Sequence, residues 1–246
     1  MDLGLSGKNA IVTGAASGIG RQVAIDLAAE GANIVAADMN LEGANETIEL
    51  IGSGKAMQLD VTSLENAKQV VADTVSSFGS LDIMVNCAGA WRLNTFMKSS
   101  PEDWAFEINV NLFGVINCTR AALDPMTQNG GGKIVNISSD AGRVGEFRQA
   151  VYSGAKAGVI GFTKAVAREV GKSGVHLNCV CPGLTSTPGT AADFDEEMEQ
   201  RIGKTYPLRK IGVPQDVSRV VVFLTSNGAS HVTGQTMSVS GGYSMV

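Results

Sequence analysis

Short apolar runs alternate along the chain with longer stretches whose apolar residues recur at every third or fourth position. The runs are rich in β-branched residues and predict buried strands, whereas the longer stretches have the spacing of amphipathic helices. Helices are predicted over segments that include Val23–Ala29, Ala67–Val75 and Val159–Val170. The predicted strands are Asn9–Thr13, Asn33–Ala37, Ile83–Asn86, Lys133–Ile137 and His176–Val180. This alternation predicts a doubly wound parallel sheet in a three-layer α/β/α arrangement.

Length and composition favour one globular domain. A chain of 246 residues suits one large α/β domain and lies close to the length at which chains divide, so we expect a single domain over residues 1–246. Hydrophobic residues make up 44% and charged residues 17%, which favours a compact protein over a disordered one. The formal net charge of -5 offers no basic surface for nucleic acid or an anionic membrane, so neither partner is expected.

Targeting signals, disulfides and metal sites are not favoured by the sequence. The segment Met1–Leu5 lacks a basic region leading into an apolar stretch, and we expect a cytoplasmic protein. The cysteines have no C-x-x-C spacing and the two histidines lie far apart, so we expect buried thiols and no metal. The cysteines are Cys87, Cys118, Cys179 and Cys181.

A glycine-rich turn over Thr13–Gly20 joins the first predicted strand to the first predicted helix. Glycine lets the backbone turn tightly and approach a pyrophosphate, whose charge is met by amides at the helix N-terminus. Asp38 ends the second strand, where the dinucleotide-binding Rossmann fold has an acidic residue for the ribose. The sequence therefore predicts a dinucleotide site of Rossmann type. Its predicted contacts in the turn are Gly14, Ser17, Gly18, Ile19 and Gly20.

Asp38 also indicates which nicotinamide cofactor is bound. A carboxylate can accept hydrogen bonds from the ribose hydroxyls but repels a 2′-phosphate, and neither the glycine turn nor Met39 supplies a cation. The nearest cation, Arg21, falls at the start of the helix, where we expect a solvated surface side chain. NAD is therefore predicted rather than NADP.

Tyr152 and Lys156 are four positions apart in a predicted helix and so share one face. An ammonium group beside a phenol can lower the phenol pKa from about 10 towards the working pH, which makes tyrosine usable as a general acid or base. A surface tyrosine beside a lysine would have the same spacing. Ser139 follows a predicted strand at the edge where such sheets bind ligands, and this favours the catalytic interpretation.

These features together resemble the short-chain dehydrogenase/reductase pattern, and the likeness runs from Leu5 to Gly242. Cys87 stands where the family more often has asparagine, and we expect this difference to affect packing more than chemistry. The segments that carry the resemblance are Thr13–Gly20, Asn86–Gly89, Asn111, Ser139, Tyr152-x-x-x-Lys156 and Pro182–Gly183.

The resemblance implies four catalytic residues. Tyr152 would transfer the proton and Ser139 would bind the substrate oxygen. Lys156 would hold the nicotinamide ribose and lower the tyrosine pKa, and Asn111 would anchor a water relay from Lys156. The resemblance also implies that Asp60 and Val61 flank the adenine. The further cofactor contacts that it implies are Asn86, Ala88, Gly89, Tyr152, Lys156, Pro182, Gly183, Thr185 and Thr187.

The substrate pocket is expected from residues 90–94 and 140–149 and from a substrate loop over about 185–212. An aromatic pair with nearby arginines suits a substrate that has an apolar ring or chain and an anionic group, although each arginine could equally be a surface residue. The candidate substrate residues are Trp91, Arg92, Ser139, Arg143, Phe147 and Arg148.

Within the family, Ser139–Gly145, Cys181–Gly183 and Ser238–Gly242 are similar to hydroxyacyl-CoA dehydrogenases of anaerobic aromatic and alicyclic acid breakdown, notably the 2-hydroxycyclohexanecarboxyl-CoA type. This resemblance implies a β-hydroxyacyl-CoA substrate with a cyclic or aromatic acyl group. Hydroxy(phenyl)methylsuccinyl-CoA is a sharper option, because its carboxylate and phenyl ring match the arginines and aromatic residues.

Three alternatives remain open at this point. A 3-oxoacyl-[acyl-carrier-protein] reductase has the same layout, but its usual NADPH preference disagrees with Asp38. A sugar or steroid alcohol dehydrogenase is the second alternative, and an inactive partner subunit of a hetero-oligomeric dehydrogenase is the third. The family resemblance also implies a homo- or hetero-oligomer, commonly a tetramer, with contacts from 104–127, 152–170 and 214–242.

Overall fold

The computed structural model describes residues 3–246, and within that range seven strands form one parallel sheet. Its order is β3-β2-β1-β4-β5-β6-β7. Successive strands are thus added on one side of β1 up to β3 and on its other side from β4 onward, so the strand order reverses between β1 and β4. A reversal of this kind opens a crevice at the carboxyl ends of the two strands. The strands are β1 (Asn9–Thr13), β2 (Asn33–Asp38), β3 (Lys55–Gln58), β4 (Ile83–Asn86), β5 (Gly132–Ile137), β6 (Val175–Pro182) and β7 (Thr236–Val239).

Helices cover both faces of the sheet. Helices α1, α2 and α9 lie on one face and α3, α5 and α7 on the other, which confirms the predicted α/β/α arrangement. Among the helices of residues 3–246, none combines the length and apolar character needed to cross a bilayer. The helices are α1 (Gly18–Ala29), α2 (Leu41–Ile51), α3 (Leu64–Phe78), α4 (Pro101–Ile108), α5 (Gly114–Gln128), α6 (Ala141–Val144), α7 (Ala150–Val170), α8 (Glu196–Gly203) and α9 (Pro214–Thr225).

The central strands are buried on both faces because each alternates its side chains between two apolar layers. Val12 on β1 packs into the layer with Leu27 of α1, whereas Ile11 packs into the layer with Val71 of α3. Complete burial of a side chain of this size contributes about 1.5–3 kcal/mol. The strand ends that form the crevice therefore project from a rigid platform.

All five predicted strands are present, and three of them extend beyond the predicted bounds. Two further strands, β3 and β7, were not predicted. They are the edge strands of the sheet, and their sequences Lys55–Gln58 and Thr236–Val239 contain few of the apolar residues that mark a buried strand. Pairing with β7 also explains why β6 continues to Pro182, which pairs with Val239.

The helical path between α4 and α5 contains one irregular stretch. Residues Asn109–Phe113 form a π-helical segment, in which the turn is wider than in an α-helix. Asn111 lies in the middle of this segment and is fully buried. Because π-helical turns are often found at functional sites, the segment is consistent with a functional role for Asn111.

Candidate active site

The turn between β1 and α1 lies against the end of β4 and has no room for larger residues. Gly14 has a φ of 68°, and a Cβ there would lie 2.8 Å from the Cα of Ala88. A Cβ on Gly20 would lie 2.1 Å from the carbonyl oxygen of Gly14. The backbone itself therefore forms the wall of the crevice, as close approach to a pyrophosphate requires.

The N-terminus of α1 faces this turn. Ser17 precedes the helix, but within residues 3–246 its side chain makes no capping hydrogen bond. The first turn of the helix also contains no acidic residue. The first amides of a helix lack intrahelical partners and carry a partial positive charge. Thr187 of the substrate loop lies 3.3 Å from where a Cβ on Gly18 would be. The arrangement fits a pyrophosphate held between α1 and the loop.

Asp38 ends β2 beside the glycine turn, as predicted. One carboxylate oxygen accepts a hydrogen bond from the amide of Ala16 at 3.0 Å, and the other accepts one from the amide of Asn40 at 2.9 Å. None of the ion pairs recorded within residues 3–246 involves Asp38. The carboxylate is thus fixed at the edge of the crevice with its negative charge uncompensated.

Arg21 is not the solvated side chain that the sequence predicted. Its guanidinium donates to the Thr47 hydroxyl at 3.0 Å and to the Gly43 carbonyl at 3.1 Å, and it also donates to the Ala16 carbonyl. It forms an ion pair with Glu46 at 2.8 Å. The small residues of the glycine turn and of α2 leave space for this side chain, so Arg21 joins the turn to α2.

The predicted ribose wall at the end of β4 is held by Thr13. Its hydroxyl accepts hydrogen bonds from the amides of Cys87 and Ala88, each at 3.0 Å. The Asn86 side chain instead points into the protein and donates to Thr119 at 3.0 Å and to Asn136 at 2.8 Å. Its side chain is therefore structural, so the predicted contact of Asn86 with the ribose would come from its backbone.

The predicted adenine flank lies next to Asp38 at the end of β3. The amide of Leu59 donates to the Asp38 carbonyl at 2.9 Å, which places Asp60 and Val61 on this side of the crevice. The Asp60 carboxylate accepts hydrogen bonds from the amide and the hydroxyl of Thr62, at 2.9 and 2.7 Å. Val61 is buried.

The predicted carboxamide site follows β6. Gly183 donates to the Val239 carbonyl at 3.1 Å, so the Pro182–Gly183 turn is fixed to β7. Both threonine hydroxyls are used within the chain: that of Thr185 donates to the Gly183 carbonyl at 3.1 Å, and that of Thr187 accepts from the Thr190 amide at 3.2 Å. Thr187 lies beside the glycine turn, as its predicted cofactor contact requires.

The four predicted catalytic residues converge from three elements. Tyr152 and Lys156 lie on α7, and the Lys156 ammonium lies 5.6 Å from the centre of the Tyr152 ring. The Ser139 hydroxyl is within hydrogen-bonding reach of the Tyr152 hydroxyl. Asn111 and Lys156 both face Gly89: a Cβ atom on Gly89 would lie 3.1 Å from Asn111 Oδ1 and 3.4 Å from Lys156 Nζ. The prediction that these side chains form one cluster is consistent with this geometry.

Asn111 holds the wall of the site through its side chain. Its Nδ2 donates to the carbonyls of Ala90 at 2.6 Å and Glu107 at 2.8 Å, and its Oδ1 accepts from the Ala90 amide at 3.2 Å. The side-chain amide is therefore occupied by protein groups. The water relay predicted for Asn111 stays a prediction.

Burial changes the acid–base character of the pair on α7. Desolvation raises the pKa of Tyr152 to about 12, although the hydrogen bond from Ser139 lowers it. Desolvation also lowers the pKa of Lys156 to about 8. The sequence predicted that the ammonium would lower the pKa of the phenol, and this was wrong for the protein alone. The Lys156 ammonium donates to the Ile137 carbonyl at 2.9 Å, and loss of water around the phenol is the largest influence on the Tyr152 pKa.

Trp91 connects two loops across the mouth of the site. Its ring lies edge-on to Tyr152 with centroids 6.5 Å apart, which supports its predicted place in the substrate pocket. Its indole N–H donates to Asp193 of the substrate loop at 2.8 Å. The loop and the wall around residue 91 therefore meet over the catalytic tyrosine.

The three predicted arginines have different surroundings. Arg92 lies 4.7 Å above the Phe106 ring and is 56% exposed. Arg148 has a φ of 65° and donates to the Leu93 carbonyl at 2.6 Å, so it lies on the same wall as Trp91. Phe147 beside it is 79% exposed.

Arg143, in contrast, is held by protein groups at the end of the sheet. Its side chain is 12% exposed, donates to the Thr236 carbonyl at 2.5 Å and lies 3.9 Å from Asp140. A buried network beneath β7 therefore holds the guanidinium, and this placement removes the basis for the predicted substrate contact.

Sequence reasoning missed Glu107, which is 4% exposed and borders the site. Its carboxylate accepts a hydrogen bond from the Arg92 amide at 2.7 Å. Glu107 lies one helical turn before Asn111, so the two side chains share a face. A carboxylate four positions before Asn111, at the spacing of one helical turn, was the signal that could have revealed it.

Comparison with known proteins agrees with this geometry. A family model described as Enoyl-(Acyl carrier protein) reductase matches residues 14–244, which includes the glycine turn, the catalytic cluster and the substrate loop. The chain is a short-chain dehydrogenase/reductase. It is therefore an enzyme of a family of nicotinamide-dependent oxidoreductases that act on hydroxyl groups.

Relatives within this short-chain dehydrogenase/reductase family cover nearly the whole chain. The 3-oxoacyl-[acyl-carrier-protein] reductase FabG of Staphylococcus aureus is 40% identical over 97% of this chain and 98% of its own length. The (3R)-3-hydroxyacyl-CoA dehydrogenase of Mus musculus is 40% identical over 96% of both chains. The structure of a putative short-chain alcohol dehydrogenase from Sinorhizobium meliloti superposes with a TM-score of 0.92, at 34% identity over 97% of this chain and 96% of that chain.

Proposed function

We propose that this protein is an NAD-dependent dehydrogenase that interconverts a β-hydroxyacyl and a β-ketoacyl thioester, with coenzyme A as the carrier. The observation that carries the proposal is the convergence of Ser139, Tyr152 and Lys156 beside a glycine turn that Asp38 borders. The two relatives, a 3-oxoacyl-[acyl-carrier-protein] reductase and a (3R)-3-hydroxyacyl-CoA dehydrogenase, support the substrate class.

The surroundings of Asp38 favour NAD over NADP. The carboxylate is held in place by two amides, and Arg21, the nearby cation, is already paired with Glu46. A phosphate on the ribose would meet a fixed negative charge, whereas free ribose hydroxyls could donate to it. The glycine turn and the amides of α1 would hold the pyrophosphate of either cofactor, so the discrimination rests on Asp38.

The side chains of the cluster divide the proton chemistry between them. A bound nicotinamide supplies the hydride acceptor for oxidation and the hydride donor for reduction. In oxidation, the Tyr152 phenolate takes the proton of the substrate hydroxyl, and Ser139 donates a hydrogen bond to the same oxygen. In reduction, the Tyr152 phenol gives that proton to the carbonyl oxygen. Because burial raises the pKa of Tyr152 to about 12, the phenol is already protonated at neutral pH.

The walls of the pocket favour a cyclic or aromatic acyl group. Trp91 presents its ring to Tyr152, and Phe147 is exposed beside Arg148. Arg148 donates one hydrogen bond to the protein, and a guanidinium has further donors that can bind a carboxylate. An acyl group with a phenyl ring and a free carboxylate, such as hydroxy(phenyl)methylsuccinyl-CoA, would match both features.

The second candidate is a 3-oxoacyl-[acyl-carrier-protein] reductase. The chain is 40% identical to an enzyme of that name and equally identical to the (3R)-3-hydroxyacyl-CoA dehydrogenase. Sequence identity therefore supports the two candidates equally. Asp38 argues against the usual NADPH preference of that enzyme. An inactive partner subunit is disfavoured, because all four catalytic side chains are present in one cluster.

We also infer that the enzyme forms oligomers. Phe106 of α4 and Phe113 of the π-helical segment are 37% and 49% exposed, on the part of the chain where contacts between subunits were predicted. Sedimentation of the purified protein tests this inference, and a monomer at micromolar concentration would contradict it.

The deciding experiment measures the initial rate of NADH and NADPH oxidation with a panel of β-ketoacyl thioesters. The panel contains cyclic, aromatic and linear acyl groups on CoA and on acyl carrier protein, together with the free acids. Turnover with CoA thioesters and NADH is the expected result. Preference for NADPH and the carrier-protein thioester would replace the proposal with the second candidate. NADH binding without turnover of any member would support the inactive subunit.

A further inference from the structure

A buried carboxylate borders the catalytic cluster, and the mechanism above does not use it. Glu107 lies on α4 and is 4% exposed. It accepts a hydrogen bond from the backbone amide of Arg92 at 2.7 Å, and it lies beside the backbone amide of Tyr152, at a small cleft that Ala150 and Val151 of α7 also line. A charged side chain is rarely buried so completely unless its partners fix it. Two backbone donors from different parts of the chain lie beside it here.

One of those donors belongs to the start of the catalytic helix. The first amides of a helix have no intrahelical acceptor, and in α7 the intrahelical bonds begin with Ser153, which donates to the Gln149 carbonyl at 2.8 Å. Gln149 precedes α7, and within the described residues its side chain does not cap the helix. Glu107 is therefore placed to act as the missing cap, from another helix, at the residue that carries the reactive phenol.

The other donor belongs to the substrate wall. Arg92 follows Trp91, whose ring lies edge-on to Tyr152. The carbonyl of Glu107 also accepts a hydrogen bond from Asn111 Nδ2 at 2.8 Å. One residue thus joins the wall that holds Trp91, the helix that holds Tyr152 and the π-helical segment that holds Asn111.

We infer that Glu107 is a positioning residue, which fixes the Tyr152 backbone against the Trp91 wall and so sets where the phenol lies relative to the substrate oxygen. The inference rests on the proposed function, because it needs Tyr152 to be the proton-transferring group. It adds a fifth side chain to the four that the sequence predicted, with a role that acts through Tyr152.

The charge of Glu107 has a second effect on the same phenol. The groups that face this carboxylate are Arg92, Asp103 of its own helix, Tyr152, and Arg148 across a small cleft. Burial raises the pKa of Glu107, and its charge in turn raises the pKa of Tyr152 by repelling the phenolate. In its charged form, Glu107 therefore favours the protonated phenol that reduction requires.

The Glu107→Gln variant separates these effects from folding, because it keeps the shape of the side chain. Glutamine has one acceptor oxygen and presents an NH₂ group to one of the two amides, so one of the two amides loses its acceptor. We expect kcat for reduction to fall roughly 10- to 100-fold, since a small displacement of a catalytic group costs this much. The affinity for NADH, measured by fluorescence, should stay within about twofold because Glu107 lies on the substrate side.

A spectroscopic measurement gives a readout that a merely structural residue would not change. Ultraviolet titration of the folded protein, with Tyr152→Phe as the blank, reports the pKa of the Tyr152 phenol. Removal of the Glu107 charge should lower that pKa. Glu102→Gln is the matched control, because Glu102 is an exposed glutamate on the same helix, and it should match the wild type in both measurements.

The outcomes distinguish this inference from the proposed function. If Tyr152→Phe keeps the wild-type rate, the proposed function fails and Glu107 loses its argued role with it. If Tyr152→Phe is inactive while Glu107→Gln keeps both the wild-type rate and the wild-type phenol pKa, only the positioning role is overturned. Loss of NADH binding together with a lower melting temperature in Glu107→Gln would also overturn it, because the residue would then be merely structural.

Discussion

The Asp38 carboxylate carries the choice of cofactor, and its replacement by asparagine predicts a measurable change. Asp38→Asn removes the negative charge and keeps one oxygen for one of the two amides that hold it, Ala16 or Asn40. A phosphate oxygen about 4 Å from the carboxylate would be repelled by roughly 4 kcal/mol at an effective dielectric constant of 20. Asp38 is partly exposed, so solvent reduces the expected gain for NADPH to about 1–2 kcal/mol, or roughly 5- to 30-fold.

The same variant should bind NADH less tightly. Hydrogen bonds to a charged group contribute about 1.5–3 kcal/mol, so loss of the charge should weaken NADH binding by roughly 10- to 100-fold. The ratio of kcat/KM for NADH to that for NADPH should therefore fall by about two to three orders of magnitude. Asp73→Asn is the control, because Asp73 is an exposed aspartate on α3, away from the crevice.

Steady-state rates with each cofactor at low and moderate salt provide the assay. Repulsion between the carboxylate and the phosphate is screened by salt, so NADPH should perform worst with the wild type at low ionic strength. An unchanged cofactor ratio in Asp38→Asn, with the protein folded, would refute the reasoning. The discrimination would then have to come from another part of the crevice.

Three further predictions concern the catalytic cluster and its entrance. Tyr152→Phe should lower kcat at least about 100-fold while NADH affinity, followed by fluorescence, stays unchanged; retained turnover would contradict the assignment. With wild-type enzyme, the rate of oxidation should rise about tenfold per pH unit at neutral pH, because oxidation needs the phenolate and burial raises the pKa of Tyr152 to about 12. The rate of reduction should show no such rise. Parallel pH profiles in the two directions would argue against this mechanism. Trp91→Phe should raise KM for the thioester severalfold with little effect on NADH, since it loses the hydrogen bond to Asp193 and part of the ring surface; an unchanged KM would place the substrate elsewhere.

Features that depend on local sequence could be predicted well. The strands Asn9–Thr13 and Ile83–Asn86 have the predicted bounds, because buried parallel strands are short, continuous apolar runs. The spacing of Tyr152 and Lys156 fixes their common face on α7, and the glycine turn follows β1 as expected. In each case the information lies within a few neighbouring residues.

Features that depend on tertiary neighbours could not be predicted in this way. Edge strand β7 forms because it pairs with β6, and Arg143 is buried because that strand covers it. The Asn86 side chain turns inward because Asn136 on the next strand accepts its hydrogen bond. The pKa of Tyr152 is decided by burial, which the distance along the sequence to Lys156 does not reveal.

The single hydrogen bond between Trp91 and Asp193 has a consequence for how substrate enters. A solvent-exposed hydrogen bond contributes about 0.5 kcal/mol net, the low end of the usual range, so it favours the closed arrangement only a few to one. We therefore expect a large thioester to displace this bond at little cost as it enters. Firm closure requires the contacts that the acyl group itself makes, so the enzyme shields its chemistry from water mainly when the right substrate is inside.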